Sequence, residues 1–172
     1  MPRLIALIVT VVVAFALAGC GSSSKKSSSS STTSTTSTSS QSTSATEYKT
    51  KVTAISSAFA AAGQAFQASI TPNTTPQQAA AALEGFQTKV TKAADDLEAL
   101  TPPDKVKAAH AALITSFRAI ADATQPSIDA GKAGDRAAFR TALLKLRDQL
   151  QGALGTSAKT AASQIDQGLA GQ

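Results

Sequence analysis

Tryptophan is absent from the 172 residues, and cysteine, histidine and tyrosine each occur once. One cysteine, Cys20, excludes an intrachain disulfide and any thiolate metal cluster. One histidine, His110, is too few for a multi-histidine metal site. The carboxylate-plus-histidine pattern of di-iron bundles places Glu three residues before His, and Lys107 stands there instead. Haem would need a second axial ligand, which neither another histidine nor the initiator Met1 supplies. Serine and threonine are abundant, but as nucleophiles they require a base, and His110 is the only imidazole. There is no glycine-rich phosphate loop and no HExxH metal motif. The expectation is a chain without catalysis and without a cofactor.

Charge of one sign is also in short supply. The formal net charge is +5, yet three of the sixteen basic residues, Arg3, Lys25 and Lys26, precede residue 46. From residue 46 onward there are 13 Lys and Arg against 11 Asp and Glu, a balance of +2. A nucleic-acid binder concentrates positive charge and stacking aromatics on one face. Five Phe and one Tyr after residue 45 make poor material for that. Nucleic acid is not expected as a partner.

The longest hydrophobic run is short for a membrane span. After Met1-Pro2-Arg3, the fifteen residues from Leu4 to Ala18 hold one polar side chain, Thr10. At ~1.5 Å per residue they fall short of a ~30 Å bilayer core, which favours a cleaved export signal. The run closes on Leu17-Ala18-Gly19-Cys20. This tetrad resembles the lipobox of bacterial lipoproteins: leucine, two small residues, then cysteine. The resemblance implies that residues 1–19 are removed and that Cys20 carries a lipid. It places the protein on the extracytoplasmic face of the cell membrane, with that membrane as its first partner. Two or more acyl chains at ~0.8 kcal/mol per buried methylene make a durable anchor.

Residues 21–46 contain 21 Ser or Thr among 26, with Lys25 and Lys26 the only charges. So little apolar surface cannot offset the entropy of ordering, and residues 20–45 read as a lipidated cysteine on a disordered tether. As a flexible coil it spans ~26–30 Å r.m.s..

From residue 46 to 172 the periodicity is helical. Tyr48, Val52, Ile55, Phe59, Ala62, Phe66 and Ile70 step by three and four. So do Leu83, Phe86, Val90, Ala93, Leu97 and Leu100, then Val106, His110, Leu113, Phe117, Ile120 and Thr124. Phe139, Leu143, Leu146, Leu150 and Leu154 begin a fourth stripe that Ile165 and Leu169 extend. Start signals agree: Ser44 with Glu47 and Thr75 with Gln78 fit capping boxes, the second with Pro76 at the first helical position. Thr101-Pro102-Pro103-Asp104 is a close variant, and Asp135 is a good N-cap. The expected helices are 46–70, 76–100, 103–124 or beyond, and 135–169, with Pro126 ending or kinking the third. Narrow seams and short connections predict an all-α, antiparallel up-down four-helix bundle.

The run Leu97 to Pro103, followed by His110 and by Ala133-Gly134-Asp135, is similar to uncharacterised helical lipoproteins of high-GC Gram-positive bacteria. The similarity spans residues 83–155 and implies fold and location, with no activity attached. Within the domain, His110 reads as a histidine packed between helices. Asp95, Asp96 and Glu98 oppose the dipole at the end of the second helix and call for compensation, for which the start of the third helix and Lys105 and Lys107 lie nearby in sequence. Arg136, Arg140 and Arg147 fall within 40° on a helical wheel at ~100° per residue, beside the apolar seam. They form the candidate docking stripe for an envelope protein or an anionic polymer. The expected function is an anchored, non-catalytic interaction or scaffold module. The alternative is a carrier or sensor of a small apolar ligand held between alanine-rich helices.

Overall fold

A computed structural model describes residues 44–170. The expected signal sequence, Cys20 and nearly all of the Ser/Thr-rich segment lie outside the described residues. Among those residues the fold is all-α, a four-helix arrangement with no sheet: α1 (Ala45–Ser69), α2 (Pro76–Glu98), α3 (Lys107–Lys132), and a fourth member divided into α4 (Arg136–Gln151) and α5 (Ala153–Leu169). A single 3-10 turn, Asp104–Val106, leads into α3.

The helix starts show how far local chemistry reaches. At α2 the capping box is complete: the Gln78 amide donates to Thr75 Oγ1 at 3.2 Å, and the Thr75 amide donates to Gln78 Oε1 at 2.9 Å. At α4 the Asp135 carboxylate accepts from the amides of Ala137 and Ala138 at 2.9 and 3.0 Å. Ser44 caps α1 by accepting from the Glu47 amide, while the Glu47 side chain pairs forward with Lys51 rather than closing a box. The third start departs from expectation. No side chain caps it; the 3-10 turn replaces the cap, and Asp104 pairs with Lys107. Two prolines before Asp104 hold the chain extended and leave Val106, fully buried, as the entry point.

Pro126 does not end α3, which continues to Lys132 and stops where Gly134 takes a φ of 74°. Pro126 is exposed, whereas Ser127, Ile128 and Gly131 beyond it are buried, so packing carries the helix through the lost amide donor. In the turn before it, the Ala121 carbonyl accepts from Thr124 Oγ1 at 2.6 Å and from Gln87 Nε2 at 3.0 Å. These side chains reinforce the turn that a proline disturbs.

The fourth helix is not continuous over 135–169. It breaks at Gly152, whose φ of −91° and ψ of −123° are not helical. Gly155 is part of the same break: a Cβ there would sit 1.9 Å from the Leu150 carbonyl oxygen. No other residue could occupy that position without moving the backbone.

The core lies around α3, which packs closely against α2, α4 and α5. One cluster gathers Val90, Leu97, Val106, Leu113 and Phe117 with Ala161, Ile165 and Leu169 of α5. A second gathers Leu83 and Ile128 with Phe139 and Leu146 of α4. The expected seams are thus the buried faces. Helix α1 is different: its backbone comes close mainly to that of α2. Long side chains join it to α3, with Phe59 stacked on Phe117 at 4.8 Å between ring centroids.

Candidate functional site

A cleft of about 160 Å³ opens where α1 stays apart from α4 and α5. Its floor is Leu113, Phe117 and Ile120 of α3, and its sides are Phe59 of α1, Phe86 of α2 and Leu150 of α4. The opposing walls explain why the space is not filled. On α1 they are Ala60 and Gly63, and on α5 they are Gly155, Ala158 and Ala162, none of which has a side chain long enough to cross. Phe59, Phe86 and Leu150 are only partly buried although they face the core. That combination is unusual for the largest apolar side chains of a small bundle, which normally bury fully.

The aromatic edge of the cleft is a row of stacked and tilted rings. Phe59 lies nearly parallel to Phe117 and tilts at 47° against Phe86, with centroids 6.1 Å apart. Phe66 continues the row on Phe86 at 5.9 Å. Such contacts contribute about 0.5–1.5 kcal/mol each beyond their area. Two cations, Arg147 and Lys159, line the cleft, and no carboxylate does. Arg147 is half-buried and donates through Nε and Nη2 to the exposed Asp148. Lys159 is exposed and makes no ion pair among the described residues.

The three arginines of the sequence-derived stripe therefore stand in different surroundings. Arg136 and Arg140, in the first turns of α4, are exposed and make no ion pair among the described residues. Arg147 is drawn into the cleft wall. Cys20, the expected lipid attachment, lies outside the described residues.

Toward the start of α1, Tyr48 and His110 form the one buried pair of ionisable side chains among the described residues. Tyr48 Oη lies 2.9 Å from His110 Nδ1, and the rings meet edge-on at 5.7 Å. Tyr48 is 0 % and His110 5 % exposed. Burial pushes the tyrosine hydroxyl up to about 12 and holds the imidazole below its ordinary value. Both effects favour a neutral pair in which the phenol donates to an unprotonated Nδ1. The seam register anticipated both positions but not their meeting, since 62 residues separate them.

Compensation at the end of α2 comes from other cations than Lys105 and Lys107. Lys92 holds Asp96 at 2.6 Å, and Arg118 of α3 reaches both Glu98 and Asp95. Lys107 is engaged with Asp104. Among the described residues no group of three potential ligands could hold a metal ion. The cleft itself was legible only as a general looseness of alanine-rich helices; the recurring Ala and Gly at 60, 63, 155, 158 and 162 were its unread signal.

No protein-family model matches the chain, and no curated protein or solved structure is similar to it.

Proposed function

We propose that this protein is a lipid-anchored, extracytoplasmic binding module that holds a small apolar ligand between its helices without acting on it chemically. The apolar cleft between α1 and the α4–α5 segment carries this reading. An apolar space of about 150 Å³ takes up benzene, so about 160 Å³ suits a ring or a short alkyl segment. A well-formed apolar pocket with few polar groups is the usual form of a small-molecule site. The Leu17-Ala18-Gly19-Cys20 tetrad supports the anchor and the location on the outer face of the cell membrane. No helix among the described residues is long and apolar enough to cross a membrane. The kinship with helical lipoproteins of high-GC Gram-positive bacteria belongs to the same proposal.

An antiparallel up-down course is part of it. Connections of eight residues or fewer between the helices support it. So does the order of contacts, in which Glu84 pairs with Lys132 and Glu98 with Arg118. Ile128 near the end of α3 meets α4, and Val106 before α3 meets α5.

The test uses the full chain in lipid nanodiscs, with 1-octanol as probe and the methyl resonances of Leu113, Ile120 and Leu150 as readout. Saturable shifts of these methyls are expected, and Ala158→Leu, which fills the cleft, should abolish them. Equal shifts in both proteins, or none in either, would overturn the reading.

A second reading has its own observation. Arg136 and Arg140 lie exposed on α4 without ion pairs among the described residues, as a docking point for an envelope protein or an anionic polymer would require. In that reading the module is a scaffold, and its retention on isolated envelopes depends on these two residues and falls with salt.

A further inference from the structure

We infer that the ligand of the cleft is a monoanionic amphiphile: a carboxylate of about six to ten carbons whose tail lies on Phe59 and Phe117 and whose head meets Arg147 and Lys159. This rests on the binding reading above and specifies its chemistry. Size limits the tail, because a space of about 160 Å³ holds roughly a six-carbon ring or its equivalent in chain, with the remainder reaching the mouth. Charge fixes the head. Arg147 comes from α4 and Lys159 from α5, and no acidic side chain lines the same space.

Arg147 is already oriented. Its bond to Asp148 uses Nε and Nη2 and one oxygen, Oδ1. A guanidinium has five N–H donors, so donors remain for a second carboxylate. Holding the fork beside Leu150 also reduces the rotamer entropy that a ligand would otherwise have to remove. Lys159, with no ion pair among the described residues, supplies a charge that Asp148 does not cancel. A neutral amphiphile would leave Lys159 without a counter-ion in the complex, and a cationic one would be repelled. One negative charge satisfies Lys159 while Asp148 stays with Arg147, whereas a dianion would have to compete with Asp148.

The experiment compares octanoate, 1-octanol and octylammonium on the full chain in zwitterionic nanodiscs, read on the methyls of Leu113, Ile120 and Leu150. Octanoate should bind about tenfold more tightly than octanol, and octylammonium more weakly than either. In Arg147→Gln/Lys159→Gln the octanoate advantage should vanish while octanol affinity stays within about twofold. Ala158→Leu should abolish octanoate binding while keeping the charges. Binding of octanoate and octanol with equal affinity to the wild type overturns the head-group inference and leaves the binding reading intact. Failure of all three probes overturns both. Octanoate binding that persists in Ala158→Leu places the anion on the surface and overturns the inference. Unchanged helicity and unfolding temperature of the two variants verify that each is folded.

Discussion

At the scale of the residue, Tyr48 and His110 show why a polar group in a seam is judged by its partner. Taken alone, a buried imidazole invites replacement by leucine at little cost, because apolar volume replaces a desolvated ring. The 2.9 Å bond to Tyr48 reverses that expectation. His110→Leu strands a phenol that is 0 % exposed, so stability should fall by about 1–3 kcal/mol. Adding Tyr48→Phe removes the stranded hydroxyl and should recover most of the loss. Urea unfolding of the three proteins at pH 7.5 decides it; a double variant no better than His110→Leu would show that the bond is not what counts. Protonation gives a second handle. Burial lowers the folded pKa of His110, so below ~6.5 the unfolded chain binds the proton first. The histidine's contribution is therefore complete above that pH and is lost as pH falls toward the folded value. Tyr48 acts in the opposite direction: with a folded value of about 12, its contribution is complete below ~10 and is lost as pH rises from there. Unfolding free energies between pH 5 and 8 should decline on the acid side in the wild type and not in His110→Leu.

Among the elements, the broken fourth helix bears most directly on the cleft. A continuous helix would keep one face toward α3 along its whole length; the break at Gly152 lets α4 meet the Ile128 end and α5 the Val106 end. It also sets Leu150, Gln151 and Gly155 at the cleft wall. Glycine is a poor helix former, costing about 1 kcal/mol relative to alanine, so Gly155→Ala should stabilise a straight helix. In this structure the added methyl would meet the Leu150 carbonyl oxygen at 1.9 Å. The expected result is a loss of about 1–3 kcal/mol, read as a lower unfolding temperature, together with altered Leu150 methyl shifts. A gain in stability would mean that α4 and α5 had merged into one helix. The contrast with Pro126 is instructive. A proline that local rules make a helix terminator is carried through by buried neighbours, while glycines that local rules merely disfavour make the real break.

For the whole molecule, anchor and binding site have to be considered together. A domain of nearly balanced charge has little electrostatic reason of its own to stay at an anionic surface, since its excess is +2. Residence there would depend on the lipid proposed for Cys20. Cys20→Ser should abolish incorporation of labelled fatty acid and block cleavage after Gly19, while the α1–α5 methyl spectrum stays unchanged. Normal lipid labelling of that variant would remove the anchor from the proposal. Much of the architecture was settled by the chain itself. Thr75-Pro76-Gln78 and Asp135 start helices through bonds that span three residues or fewer, and the seven-residue spacing of Leu83, Val90 and Leu97 fixes which side is buried. Interactions of that range are decided by neighbours in sequence, so the all-α class and the helix seams could be derived without coordinates. Only the tertiary structure brought Tyr48 to His110, gave Asp95 and Glu98 to Arg118 rather than to Lys105 and Lys107, and kept α1 away from α4 and α5. The cleft belongs to this second group. It is a distance between helices far apart in the chain, set by what Phe59 and Phe117 prop open and what Ala60, Gly63, Ala158 and Ala162 leave unfilled, and no local rule reports such a distance.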